Sequence, residues 1–292
     1  MSIQSTTIAS YTQIHQFEPL LPQKDLAALA ASTRPVVEKS LELRKALSPE
    51  ALASLRELVR AMNSYYSNTI EGQGTHPANI ARALRAEFSE RPDVARRQRL
   101  ALAHIAAERE LETLVDHAHL DEGAILRTDF LLQAHKALYG QLEARDRTTE
   151  DGHLVTPGEL RTDDVAVGRH QPPAHAALPR FLARMDQVYG SLKGLDPLLH
   201  TIAAAHHRAT WVHPFRDGNG RACRLQTHCA LYPLSQGLWS VNRGLARDRA
   251  HYYAMLDKAD MARQGDLDGR GPARCLRRHR GGGGAGGAPP VR

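Results

Sequence analysis

Side chains that can handle phosphate are concentrated in one short stretch, residues 213–224, which reads HPFRDGNGRACR. The imidazole of His213 can accept a proton near neutral pH. The carboxylate of Asp217 is a hard oxygen ligand of the kind that suits Mg²⁺ bridging phosphates. Arg221 and Arg224 are three residues apart, so on a helix they share a face and can grip two different phosphates. Together these residue types predict a site for a nucleoside triphosphate.

Two helices joined by a sharp bend must hold these side chains. Residues 198–211 contain neither glycine nor proline, which predicts a helix that leads into the stretch. Pro214 disfavours helical geometry at His213, so we expect that helix to give way to a loop there. Gly218 and Gly220 allow the backbone N–H groups to approach an anion closely. A second helix is expected to follow at once, with its N-terminal amides facing the anion.

The stretch matches the signature of the Fic family, His-x-Phe-x-Asp/Glu-Gly-Asn-Gly-Arg-x-x-Arg, at every fixed position, and the chain therefore resembles that family. Fic proteins typically transfer the AMP part of ATP to a serine, threonine or tyrosine hydroxyl of a target protein. The resemblance implies ATP as substrate, Mg²⁺ as cofactor and a protein with a hydroxyl side chain as partner. It also implies a mainly α fold, a helical bundle with a short β-hairpin flap.

Roles follow from the resemblance position by position. His213 would be the general base, and Asp217 would hold Mg²⁺ against the α- and β-phosphates. Arg221 would reach the inner phosphates and Arg224 the γ-phosphate, while Phe215 would anchor the loop in the core. Three residues would line the anion hole: Gly218, Asn219 and Gly220.

A second segment, residues 67–72 with the sequence SNTIEG, fits the family's inhibitory pattern Ser/Thr-x-x-x-Glu-Gly/Asn. Apolar residues upstream recur at helical spacing and Gly72 would end that helix, so Ser67 and Glu71 share one face. In the family the glutamate pairs with the second arginine of the motif, here Arg224, and keeps the γ-phosphate from seating productively. The resemblance therefore implies auto-inhibition, whereas the local pattern alone is also that of a common helix ending.

Two more groups are assigned by the resemblance. Residues 161–173 carry alternating apolar residues between turn formers, which predicts a hairpin. It is similar to the Fic flap, whose strand edge could pair with an extended target segment, although a plain surface hairpin is the alternative. The flap residues are Val165, Val167, Gly168 and His170. Downstream, Tyr252 and Asp260 occupy the spacing of the aromatic residue and the asparagine that contact adenine in the family. Aspartate lacks the amide donor that asparagine would supply. Core packing is the alternative for Tyr252.

The basic character of the 292-residue chain belongs to its end. The formal net charge is +6, but six arginines and no acidic residue lie in residues 270–292, so residues 1–269 are formally neutral. The glycine-rich stretch 281–287 cannot bury a core, which predicts a disordered tail over residues 266–292. A shifted reading frame or a truncation is our hypothesis for the abrupt change of sequence there. Nucleic acid is therefore a disfavoured partner for the folded part.

Three regions are expected: an N-terminal helical region over residues 1–115 with loops near 19–22, 34–35 and 76–77, a catalytic core over 116–265, and the tail. The three cysteines have no metal-type spacing, and no apolar run is long enough to span a bilayer. With no export signal at the start, these features predict a cytoplasmic location. A homodimer is left open. The alternatives to AMP transfer are removal of AMP or transfer of another group, such as UMP, by the same site, and nucleic-acid binding through the tail.

Overall fold

The computed structural model describes residues 11–45, 48–168, 170–191 and 198–261. Eleven α-helices lie within these residues, and the mainly α fold expected from the sequence is confirmed. In chain order the helices are α1 (Leu26–Lys45), α2 (Pro49–Ile70), α3 (Pro77–Ala83), α4 (Pro92–His117), α5 (Glu122–Ile125), α6 (Thr128–Tyr139), α7 (Leu178–Tyr189), α8 (Leu198–Val212), α9 (Asn219–Ser235), α10 (Asn242–Arg247) and α11 (Arg249–Met261). In the part of the chain that the structure describes, no helix is long and apolar enough to cross a membrane.

Helix α9 runs through the middle of the bundle. All of its residues except Gly220 and Pro233 are buried, and it packs against α2, α4, α5, α6 and α8. A helix that is buried on every side must find partners for its polar side chains inside the protein, because an unpaired buried polar group is costly. Several polar side chains of α9 bond to neighbouring helices: Arg221 to Tyr139, Arg224 to Ser67 and Gln226 to the Ile125 carbonyl oxygen.

An aromatic cluster fixes the helix that leads into the predicted site. Trp211, near the end of α8, stacks on Phe17 with ring centroids 5.0 Å apart, and Phe181 of α7 lies 5.8 Å from it. Phe17 belongs to a 3-10 turn, Ile14–Phe17, and its side chain is fully buried. Burying aromatic rings of this size is a main source of core stability. The N-terminal segment is thereby attached to the C-terminal end of α8.

Helix α2 has the start and the end that its sequence predicts. The Ser48 hydroxyl accepts a hydrogen bond from the Ala51 N–H at 3.3 Å, and Pro49 occupies the first helical position. The helix ends at Ile70, and Gly72 follows with φ +73°, a left-handed conformation that glycine adopts without strain. The helix packs on α4 and α10 and reaches α9.

Two sequence predictions differ from the structure, and others lie outside it. The loop expected at residues 34–35 is wrong, because α1 continues through Pro35; on this exposed helix water can replace the backbone hydrogen bond that proline cannot donate. The hairpin of the flap is reduced to one antiparallel pair, in which Val167 and His170 exchange two backbone hydrogen bonds of 2.9 Å. The tail over residues 266–292 lies outside the described residues.

Candidate active site

The loop between α8 and α9 begins with a backbone conformation that few residues other than glycine adopt. His213 follows the last residue of α8 and has φ +49°, in the left-handed region. Arg161 holds the loop: its Nε donates to the carbonyl oxygen of His213 at 2.9 Å, and its backbone N–H donates to the carbonyl oxygen of Pro214 at 2.9 Å. The Arg161 side chain is buried, so its hydrogen bond to the loop is shielded from water. From the sequence, Arg161 was expected only at the edge of the flap.

The imidazole of His213 is neutral at neutral pH, because its pKa is lowered. Burial lowers the pKa of His213 to about 4, and the nearby charges of His170 and Arg161 act in the same direction. The side chain nevertheless lines a cavity, so its ring remains accessible from that side. A neutral imidazole facing a cavity is the form that a general base requires.

Asp217 is held as an oriented carboxylate. Its Oδ2 accepts from the Tyr139 hydroxyl at 2.6 Å and lies 3.3 Å from an Nη of Arg221, while its Oδ1 accepts from the Gly218 N–H at 2.7 Å. Burial acts to raise the pKa of Asp217, but the Arg221 charge and these hydrogen bonds outweigh it and lower the pKa. The side chain is 44% exposed. An ionised, partly accessible carboxylate is suited to a hard cation.

Helix α6 supports the loop through His135. The ring Nδ1 accepts from the Gly158 N–H at 2.8 Å, so the proton is on Nε2, which donates to the carbonyl oxygen of Asp217 at 3.1 Å. Phe215 stacks on the same ring with centroids 3.9 Å apart and is fully buried. Burial lowers the pKa of His135 to about 4, so the ring is neutral at neutral pH, and the two hydrogen bonds set its tautomer. Phe215 is thus the apolar anchor that was expected.

Tyr139, one helical turn after His135, links two motif residues. Its hydroxyl accepts from Arg221 at 2.7 Å and donates to Asp217, and the Arg221 guanidinium lies over the tyrosine ring, 5.4 Å from its centroid. A Cβ on Gly218 would collide with this ring, which is one reason for glycine there; the other is its φ of +77°. His135 and Tyr139 were not predicted from the sequence. The available signal was their spacing, four residues apart on a helix face that they share with Leu131 and Leu138.

The side chain of Asn219 serves the loop itself. Its Nδ2 donates to the carbonyl oxygen of Phe215 and its Oδ1 accepts from the Phe215 N–H, both at 2.8 Å. Both polar atoms of the amide are therefore bonded inside the loop. The role of Asn219 in the predicted anion hole stays a prediction.

Arg224 is paired with the helix that carries the second motif. The guanidinium is 1% exposed, and its Nε donates to the Ser67 hydroxyl at 3.0 Å. One Nη donates to the carbonyl oxygen of Ser67 at 3.0 Å and to the carboxylate of Glu71 at 2.6 Å. Burial acts against the charge of Glu71, yet Arg224 and then Arg221 lower the pKa of Glu71. The structure thus brings together the three side chains that the resemblance associates.

The Glu71 carboxylate also lies against the start of α9. A Cβ on Gly220 would collide with Oε1 of Glu71 and would lie 2.9 Å from an Nη of Arg224. The first turn of α9 contains no acidic residue of its own. The N-terminus of a helix favours an anion, so Glu71 takes the position that a phosphate would favour.

A cavity of about 210 Å³ is lined by Glu71, Arg224 and His213 and extends to Tyr252 and Asp260. Tyr252 bonds to His206 at 2.8 Å, and the Asp260 carboxylate bonds to His207 at 2.9 Å. Among the described residues, the predicted ones that line the cavity are Glu71, Val167, His170, His213, Gly220, Arg224, Tyr252 and Asp260. The predicted residues that do not line it are Ser67, Val165, Gly168, Asp217, Gly218, Asn219 and Arg221.

Comparison with known proteins identifies relatives of the central part of the chain. Residues 125–231 match the model of the Fic/DOC family. The chain is 28% identical over 220 residues to the protein adenylyltransferase Fic of Nematostella vectensis, covering 73% of this chain and 46% of that protein. It is 35% identical over 128 residues to the protein adenylyltransferase fic-1 of Caenorhabditis briggsae, covering 43% and 24%. The chain therefore spans less than half the length of these relatives.

Solved structures share the fold. A Fic family protein from Desulfovibrio desulfuricans G20 matches with a TM-score of 0.60 at 18% identity, over 83% of this chain and 69% of that one. Fic-1 from C. elegans matches with a TM-score of 0.57 at 21% identity, over 87% and 74%. At these identities the likeness establishes the fold alone.

We expect the His213 imidazole to titrate with a midpoint near pH 4, because burial disfavours its charged form. Ring C–H resonances followed by NMR from pH 8 to acid measure this directly, with the urea-unfolded chain near the usual value of about 6.5 as the control. Since the folded pKa lies below the unfolded one, this histidine makes stability fall as the pH drops from about 6.5 towards 4. A folded midpoint at 6.5 or above would contradict the burial argument.

Tyr139→Phe should lower the free energy of unfolding by about 1–3 kcal/mol, because the hydroxyl joins two charged groups and both lose a partner. Urea unfolding without added divalent cations measures the change. Tyr253→Phe is the matched control, since its hydroxyl makes one 3.3 Å bond to Ile70 on a side chain that is 41% exposed. Equal effects of the two substitutions would mean that the Tyr139 hydroxyl is not a link between Arg221 and Asp217.

Proposed function

We propose, from the Fic/DOC domain that the chain contains over residues 125–231, that this protein transfers AMP from ATP to a hydroxyl group of a protein. The observation that carries the proposal is the shared cavity: the neutral imidazole of His213 opens onto the same space as Arg224 and the start of α9 at Gly220. A base and an anion site facing one cavity suit the transfer of a phosphoryl group to a hydroxyl.

His213 would act as the base in a single displacement at the α-phosphorus of ATP. The imidazole takes the proton of the target hydroxyl while the hydroxyl oxygen forms a bond to the α-phosphorus. The bond from that phosphorus to the oxygen bridging the α- and β-phosphates breaks, and pyrophosphate leaves with the electron pair. Positioning and charge stabilisation supply most of the rate in such reactions, and the base adds a further factor.

Charge stabilisation would come from Asp217, Arg221 and Arg224. Asp217 is suited to hold Mg²⁺, because it is ionised, partly exposed and oriented by Tyr139. When bound with ATP, Mg²⁺ would neutralise phosphate charge. Arg221 lies beside Asp217, where it would face the inner phosphates, and Arg224 lines the cavity one turn further along α9.

Glu71 would restrain the activity by occupying Arg224. The two side chains are joined by a 2.6 Å ion pair, and the Glu71 carboxylate covers the start of α9. A terminal phosphate that needs Arg224 competes with this carboxylate for one guanidinium. If the competent arrangement is a minor population, activity falls by that fraction, at about 1.4 kcal/mol for each factor of ten.

His213→Ala should reduce AMP transfer by at least about 10²-fold while ATP binding remains, because the substitution removes the base and leaves the arginines. The assay follows label from ATP labelled at the α-phosphate onto the chain itself and onto proteins of a cell lysate, with calorimetry for ATP binding. Parallel reactions with the other labelled nucleoside triphosphates measure nucleotide preference. His117→Ala, at an exposed position, is the control. Undiminished labelling by the His213 variant would remove this histidine from the mechanism.

Glu71→Gly should raise self-labelling by about tenfold or more, because it frees Arg224, and glycine fits the end of α2. Initial rates at equal protein concentration measure the effect. The double variant Glu71→Gly with Arg224→Ala separates release of this arginine from general loosening of the helix. We expect the double variant to lose the gain. If it kept the high rate, competition for Arg224 would not be the cause.

A further inference from the structure

A buried cluster of carboxylates and imidazoles lies one helical turn beyond Arg224, away from the cavity. Glu108 and Glu112 of α4 and His228 of α9 are each at most 2% exposed. One ligand-type atom from each lies within 4.8 Å of the others. His104, one turn before Glu108, is also fully buried. The mechanism proposed above uses none of these four residues.

Three of these side chains meet at one point, and His104 lies beside Glu108. Nε2 of His228 lies 2.7 Å from Oε1 of Glu112 and 3.6 Å from Oε1 of Glu108, and Nδ1 of His104 lies 3.8 Å from Oε2 of Glu108. Ligand atoms on the edge of a tetrahedron with bonds of ~2.1 Å are ~3.4 Å apart. The two separations from His228 bracket that value, so small shifts would bring Glu108, Glu112 and His228 onto one ion.

Several polar atoms of this cluster lack hydrogen-bond partners among the described residues. Both ring nitrogens of His104, Oε2 of Glu108 and Nδ1 of His228 are buried and unpartnered there. An unsatisfied buried polar atom is costly, so a concentration of them in one place indicates a bound ion or water. His104 in particular points a free nitrogen at a free carboxylate oxygen that is too far away for a hydrogen bond.

Donors outside the cluster hold the carboxylates in place. Arg60 binds the second oxygen of Glu112 through Nε at 2.9 Å, and Asn63 donates to Glu108 at 2.9 Å. Such outer partners orient carboxylate ligands around metal ions. Both donors belong to α2, the helix that carries Glu71.

We propose that Glu108, Glu112 and His228 bind a structural divalent transition-metal ion, Zn²⁺, and that His104, beside Glu108, takes the fourth position. Imidazole nitrogens and carboxylate oxygens form a donor set that suits this ion, whereas Mg²⁺ favours oxygen ligands alone. The ion would join α4 to α9 and, through Arg60 and Asn63, fix the middle of α2. A buried site of this kind is filled during folding. This proposal is independent of the proposed AMP transfer.

Zinc content and a cobalt spectrum test the site directly. The full chain, carrying no polyhistidine tag and with Asp217→Asn to weaken the other cation site, is produced with Zn²⁺ and dialysed against a weak chelator. Mass spectrometry of the metal should find about one Zn²⁺ for each chain. Protein produced with Co²⁺ instead should show visible absorption bands of a four-coordinate ion with nitrogen and oxygen ligands.

Glu108→Gln should weaken Zn²⁺ binding by more than about 100-fold, because it replaces a direct ligand. Loss of an outer hydrogen-bond partner of a ligand already lowers metal affinity by about 10–100-fold. It should also lower the melting temperature of the Zn²⁺-loaded protein. Glu110→Gln, at an exposed position of the same helix, is the matched control and should retain the metal.

Two results would overturn the proposal. Equal Zn²⁺ content in the Glu108 and Glu110 variants would place the metal elsewhere. No Zn²⁺ in the parent chain, together with unchanged or higher stability of Glu108→Gln, would mean that water and shared protons satisfy the cluster. If Glu108→Gln does not fold, the Co²⁺ spectrum of the parent chain decides, and absence of the bands counts against the site.

Discussion

The burial of one guanidinium, that of Arg224, governs the rest of the structure. The group is 1% exposed on a helix that is buried on all sides, and a charge in that position is stable only when it is paired. Ser67 and Glu71 pair it in the structure described here. A phosphate is the other kind of group that could take this place. Under the proposed function, catalysis and restraint therefore depend on the same side chain, and one excludes the other.

This competition requires a rigid loop between α8 and α9, because a mobile loop could let Arg224 bind Glu71 and a phosphate together. Residues of α6 and of the segment before α7 hold the loop in place. Helix α6 holds Asp217 through His135 and Tyr139, and Arg161 secures the left-handed backbone at His213. Backbone strain of that kind persists only where the surroundings fix it. The rigid loop leaves Glu71, on the end of a separate helix, as the part that can move without disturbing the base.

Local features of the fold could be predicted from the sequence, and long-range contacts could not. The bend at His213 and the helix end at Gly72 follow from proline and glycine chemistry within a few residues. The same reasoning was wrong for Pro35, where an exposed helix tolerates the missing hydrogen bond. Tyr139 and Arg161 contact the motif loop across more than fifty residues of chain, and no spacing rule connects them to it. The pairing of the two motifs came only from the family resemblance.

Crystal structures of the parent chain and of Glu71→Gly, each soaked with Mg²⁺ and a non-hydrolysable ATP analogue, would show whether Glu71 and the terminal phosphate compete for Arg224. We expect the terminal phosphate to contact Arg224 only when the Glu71 carboxylate is absent, with the α-phosphorus facing His213. An analogue seated on Arg224 while Glu71 remains paired with it would contradict competition for one guanidinium. An analogue bound outside this cavity would contradict the assigned site itself.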